Sequence, residues 1–124
     1  MSIDKLETAM GCARVLADHN GGDVIVLDLR PLSLWTDFFI VASATSSTHM
    51  RGLLKHLEDH VAQAGIETLR RPKPAEDEEW CLMDLGDYVV HLMSATAREF
   101  YELEKLWFEA KAIPVAPTGP VAAG

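Results

Sequence analysis

From Trp80 to Trp107 the chain reads Trp-Cys-Leu-Met-Asp-Leu-Gly-Asp-Tyr-Val-Val-His-Leu-Met-Ser-Ala-Thr-Ala-Arg-Glu-Phe-Tyr-Glu-Leu-Glu-Lys-Leu-Trp, and no other stretch restricts the fold as much. Residues 80–85 and 88–93 are apolar runs joined at Gly86-Asp87, which predicts two strands in a hairpin. Thr96 and Glu99 have capping-box spacing and open a helix whose Phe100, Leu103, Leu106 and Trp107 face the core in part. Nothing between these elements leaves room for an insertion. The charge is lopsided: residues 76–109 hold ten carboxylates against two cations, Arg98 and Lys105. An acidic surface interleaved with aromatic side chains suits docking to a basic partner better than it suits a reaction centre.

Upstream, Ile3, Leu6, Met10, Ala13 and Leu16-Ala17 recur at helical spacing behind a Ser2 cap, and Gly21-Gly22 ends the helix. Residues 23–29 form an almost wholly apolar run, a strand buried on both faces. Arg30-Pro-Leu-Ser33 breaks it, and residues 38–44 make a second strand. The hydroxyls of Thr45-Ser-Ser-Thr48 offer caps for a helix with an apolar stripe of Met50, Leu53, Leu54, Leu57 and Val61, closed by Gly65. Residues 66–69 read as a third, weaker strand, and residues 71–79 as a polar loop with two prolines and four acids. One helical crossover among otherwise tight turns implies an α/β class: a single domain over residues 1–109 with a mixed five-stranded sheet packed by helices. Residues 110–124 read as a disordered tail of small residues and proline.

At 124 residues the chain can bury one core but not two. No apolar run approaches the ~20 residues that span a membrane, and the start lacks the features of a signal peptide. Cys12 and Cys81 are expected to be reduced core residues in a cytoplasmic protein. A net charge of −8 disfavours binding along nucleic-acid phosphates and leaves a basic protein partner open.

Nucleotidyl transfer needs carboxylates close together on strand ends behind a Gly-Ser turn. Here Asp28, Asp37, Asp84 and Asp87 are scattered, and Thr45-Ser-Ser47 supplies hydroxyls without glycine. Capping and turn bracing account for these groups more simply. His56 and His60 lie four apart on a helix, with His49 on nearly the same stripe. Leu57 occupies the place where a zinc-protease pattern requires glutamate, so the stripe reads as solvated and no metal is expected. His91, alone in an apolar strand, reads first as a core or edge residue and second as part of a partner face. Trp107 reads as core. Trp80, directly after four acids, is balanced between core and anchor.

The same stretch closely resembles the ribosomal silencing factor family, the Iojap-like proteins. The matching pieces are Trp80, Asp84-Leu-Gly-Asp87, Val89-Val-His91, Arg98-Glu-Phe-Tyr101 and Leu103-Glu-Lys-Leu-Trp107. A second block comprises Asp28, Thr36-Asp-Phe-Phe-Ile-Val-Ala-Ser43 and Thr45-Ser-Ser47. The resemblance implies a fold similar to the nucleotidyltransferase scaffold, without catalysis or cofactor. It also implies binding to the large ribosomal subunit through ribosomal protein L-fourteen, obstruction of small-subunit joining and lowered translation under nutrient shortage. The partner face is then expected at Trp80, Asp84, Asp87, His91, Arg98, Tyr101 and Glu104. Two departures stand out: the loop before Trp80 is unusually acidic and lacks a glycine, and the tail has no family counterpart. Two alternatives stay open, a maturation factor for the large subunit and a nucleotidyltransferase-type enzyme, and a homodimer through the sheet edge or first helix is compatible with each reading.

Overall fold

A computed structural model describes residues 5–32, 36–69, 79–101 and 110–117, with Tyr101 described through its backbone only. The elements run α1 (Lys5–Asp18), β1 (Gly22–Asp28), a 3₁₀ turn (Arg30–Leu32), β2 (Phe38–Ala44), α2 (Ser47–Gln63), β3 (Trp80–Asp84), β4 (Tyr88–Ser94), α3 (Ala95–Tyr101) and β5 (Lys111–Pro114). The strands form one sheet in the order β3-β4-β2-β1-β5. β2 and β4 are parallel, and every other pairing is antiparallel. The expected mixed five-stranded sheet is therefore present, but its membership differs.

The fifth strand is Lys111–Pro114, which pairs with β1 and places Ile113 opposite Val26. These residues were expected to be disordered tail. Ile113 and Val115 alternate onto the core, and Pro114 is tolerated because β5 is an edge strand. Conversely, residues 66–69 form no strand. Ile66 packs against the core, while Leu69 is 60% exposed and donates its N–H to the Asp84 carbonyl at 2.9 Å.

Both long helices end by the same device. In α1, Asn20 takes a left-handed φ of 69°, the Asn20 N–H donates to the Ala17 carbonyl, and the Gly21 N–H donates to that of Leu16. In α2, Gly65 takes that role at φ 73°, with bonds from Gly65 to Ala62 and from Ile66 to Val61. Each pair of bonds satisfies carbonyls that the helix leaves open, as in a Schellman motif. Gly21 is required for a different reason: a Cβ there would lie 2.7 Å from the Leu16 carbonyl oxygen. The α2 cap is Ser46, whose side chain accepts from the His49 N–H. The α3 cap is Ser94 rather than Thr96, because its Oγ accepts from the Ala97 N–H at 3.0 Å.

The sheet has two unlike faces. On one, Val24, Val26, Phe38, Ile40, Ala42, Cys81, Met83, Val90 and Leu92 pack against Ala9, Cys12, Ala13 and Leu16 of α1 and Met50, Leu53, Leu57 and Val61 of α2. The other carries Leu27, Leu29, Phe39, Val41, Val89 and Met93, met by Ala97 of α3, with Trp80 and Leu32 at its margin. Phe100 does not join either core: it is 79% exposed. Ala97 and half-buried Arg98 set the inward sector of α3, and Phe100 falls on its outer flank.

Candidate functional site

The second face contains the one buried histidine among the described residues. His91 lies in the centre of β4, paired with Val41 of β2 and Leu82 of β3. Its side chain shares the face of Phe39, whose ring meets the imidazole edge-on with centroids 4.5 Å apart. The indole N–H of Trp80 donates to His91 Nδ1 at 3.0 Å. An indole only donates, so Nδ1 must be the unprotonated nitrogen and the ring is the neutral tautomer with its proton on Nε2. That Nε2 is buried and has no hydrogen-bond partner among the described residues. Burial alone pushes the imidazole down from 6.5 to about 4, because a charged ring would lose its hydration here.

Trp80 sits at the start of the edge strand β3, half-buried, with its ring packed against the second core. The residue before it is fastened twice to the α3 cap. Ser94 donates its backbone N–H to the Glu79 carbonyl at 2.8 Å and its hydroxyl to Glu79 Oε1 at 3.1 Å. By strand alternation Leu82 follows Trp80 on the same face, and its side chain is 39% exposed. The result is a short aromatic and aliphatic margin beside a carboxylate, on the outermost strand of the sheet.

The other expected site residues are placed as follows. Asp84 accepts the Gly86 N–H at 2.9 Å and shapes the hairpin, where Gly86 holds φ 87°. Asp87 lies in that turn, where its carboxylate stands 3.5 Å from Lys5 Nζ and its carbonyl accepts from the Asp37 and Phe38 N–H groups. The turn is roughly 20 Å from Trp80 along the strand, so the two ends of the hairpin are separate places. Arg98 spans from α3 to the bulge in β1, donating Nη1 to the Gly22 carbonyl at 3.0 Å and to Ser43 Oγ at 3.1 Å. The Tyr101 side chain and all of Glu104 lie outside the described residues, as do Ile3, Leu103, Leu106, Trp107 and the acids 76–78. The structure thus brings Trp80 and His91 together and leaves Asp84, Asp87 and Arg98 with structural partners.

The four carboxylates do not converge on one site: Asp37 and Asp87 meet at Lys5, while Asp28 and Asp84 are engaged elsewhere. Asp28 is clamped by Arg30, which donates Nε at 2.9 Å and Nη2 at 2.7 Å, and this holds the carboxyl below its usual range. Asp37 and Asp87 share Lys5 at the rim of an open cleft of about 530 Å³ between α1, the end of α2 and the hairpin. Among the described residues no three His, Cys, Asp or Glu side chains are placed to hold a metal ion. The histidine stripe is engaged rather than simply solvated. His49 Nδ1 accepts from the Thr45 N–H, its Nε2 contacts the His19 carbonyl at 3.0 Å, and the His56 ring stacks on His19 at 3.6 Å. Burial pushes the Cys12 thiol up to about 11, which keeps it unreactive. No helix among the described residues is long and apolar enough to cross a membrane.

Sequence reasoning singled out Trp80 and His91 separately but could not pair them. It missed Leu82 on the exposed margin, and Ser94 as the clamp on Glu79. Period-two alternation along β3 would have found Leu82; no local signal marks Ser94.

These observations define a single-domain α/β protein whose candidate site is an aromatic strand margin held by a buried histidine. The chain belongs to the ribosomal silencing factor family, matching the family described as "Ribosomal silencing factor during starvation" over residues 2–123. It is 31% identical over 93 residues to the ribosomal silencing factor RsfS of Bacillus subtilis, covering 75% of this chain and 78% of that one. Identity to the RsfS of Haemophilus influenzae is 37% over 87 residues, 70% and 84% of the two chains. The mouse protein named "Mitochondrial assembly of ribosomal large subunit protein 1" is 31% identical over 96 residues, 75% of this chain and 42% of that one. An X-ray crystal structure of a Chromobacterium violaceum protein superposes with a TM-score of 0.74 at 28% identity, covering 100% of this chain and 95% of the other.

Proposed function

We propose that this protein docks on the large ribosomal subunit through ribosomal protein L-fourteen and keeps the small subunit from joining, which lowers translation when nutrients are scarce. The observation that carries the reading is the margin of Trp80 and Leu82 beside Glu79 on an edge strand, in a chain of net charge −8. Ribosomal proteins are typically basic. Complementary charge speeds such an encounter, while the desolvated aromatic controls how long the complex lasts. The resemblance and the relatives' names support the ribosomal partner, and the choice of L-fourteen comes from the resemblance. Steric exclusion asks for no turnover, so the protein acts without catalysis, cofactor or metal, in the cytoplasm where ribosomes work.

The test is sedimentation of cell extracts. The protein is expected with free large subunits and absent from joined ribosomes; equal occupancy of both would overturn exclusion. Trp80→Ala should release purified large subunits faster by the equivalent of about 2–4 kcal/mol, at low and high salt alike.

A second reading, action during large-subunit maturation, is favoured by the name of the mouse relative. Cells lacking the protein would then accumulate incomplete large subunits, whereas silencing alone leaves subunit assembly unchanged.

A further inference from the structure

A buried polar atom with no partner points to His91. His91 is 4% exposed, flanked by Val41 and Phe39 on one side and Trp80 and Leu82 on the other. The described residues that form this second core around it, Leu27 and Val89 among them, are apolar. With Nδ1 accepting from the indole, the proton on Nε2 is left in the core with no acceptor among the described residues. Leaving a buried donor unmet is costly, and an apolar ring of similar size would avoid that cost. Packing alone therefore argues against histidine at this position. The contact that histidine makes and phenylalanine would not is the bond to Trp80.

That bond fixes the aromatic side chain of the margin. A half-exposed indole at a strand end has several staggered settings open to it. Here the backbone is held before and after, by the Glu79–Ser94 clamp and by pairing of Trp80 with Met93. The His91 acceptor then selects one ring setting. An anchor ordered in the free protein loses little freedom when a partner arrives, and so binds tighter for the same contact.

We propose that His91 is the positioning residue of the partner face: its Nδ1 presets the Trp80 indole for docking, and the fold tolerates an orphaned Nε2–H to keep that bond. The inference rests on the reading that Trp80 contacts the ribosomal partner. The indole N–H is already spent inside the protein, so the partner group that meets the ring is an aliphatic or cationic side chain packed on it, not a hydrogen-bond acceptor.

The experiment uses the full chain and purified large subunits, reading the dissociation rate together with NMR solvent exchange of the Trp80 indole N–H in the free protein. His91→Phe is expected to melt no lower than wild type, to exchange the indole proton faster and to dissociate about tenfold faster. His91→Asn places an amide oxygen where Nδ1 was and should recover most of the slow exchange and slow dissociation. Trp80→Phe removes the N–H from the other side, and its effect should shrink when His91 is already Phe. Wild-type dissociation by His91→Phe, with Trp80→Ala strongly impaired, overturns this proposal and leaves the docking reading intact. Wild-type dissociation by Trp80→Ala overturns both. Should His91→Phe fail to fold, rapid indole exchange in the wild-type protein would by itself overturn the preset anchor.

Discussion

The two faces of the sheet are built from the same strands and do different work. The face under α1 and α2 is apolar through its centre, from Phe38 and Tyr88, stacked at 5.8 Å, to Leu57 and Val61, with the Asp28–Arg30 pair only at its margin beside Phe38. The face toward α3 is interrupted by specific polar bonds: Trp80 to His91, Arg98 to Gly22 and Ser43. Burial on the first face is non-directional and tolerates any well-filled packing. The second face depends on named donors and acceptors, so a substitution there changes geometry as well as stability. The contrast separates where the fold is held from where its surface is specified.

The largest effect should come from the first face. Phe38→Ala removes a fully buried ring and should destabilise by about 3–5 kcal/mol in chemical denaturation. That is a large part of the 5–15 kcal/mol typical of small domains. Subunit binding should be lost only in proportion to the unfolded fraction. Normal stability in Phe38→Ala would mean that this face is not the main core.

Acid should probe the second face next. Above pH 6.5 His91 is neutral in both folded and unfolded chains. As pH falls below 6.5 the unfolded chain takes up a proton that the buried ring refuses until about 4. Stability therefore declines across that window by about 3 kcal/mol and levels off below it. The loss should be absent in His91→Phe, which sharpens the comparison. Asp28 acts in a lower window: its carboxyl is held below 3.8, so its contribution is present above that value and disappears as pH falls further.

Arg98→Met tests whether the α3 brace is structural. Loss of two bonds from a half-buried guanidinium should cost about 1–3 kcal/mol while leaving dissociation from large subunits unchanged. Faster dissociation from a fully folded Arg98→Met protein would move Arg98 to the partner face.

The smallest effect concerns the rim. Neutralising Glu76, Asp77, Glu78 and Glu79 together should slow association at low salt and matter little above physiological salt, where screening acts within ~8 Å. A persistent loss at high salt would show that a rim carboxylate is buried on docking.

Local pattern determined much of this protein. Apolar spacing along residues 38–44 and 50–61, the Gly86 turn and the hydroxyl run before α2 each act within a few residues, so strands, helices and their inward faces were legible. Resemblance in the Trp80–Trp107 block also identified the family. Three features needed the folded chain. β5 is a strand because β1 leaves an edge for Lys111–Pro114 to join, a long-range pairing that a proline-ended run does not announce. Ser94 became the α3 cap because β4 carries it one residue beyond its register with β3 and beside Glu79, while Thr96 had the better local signature. Trp80 and His91, eleven positions apart, became one unit because antiparallel register sets β3 beside β4 and turns both rings onto the same face. Periodicity reports which side of an element is buried. Which buried polar group meets which donor is decided by register, and register belongs to the tertiary structure.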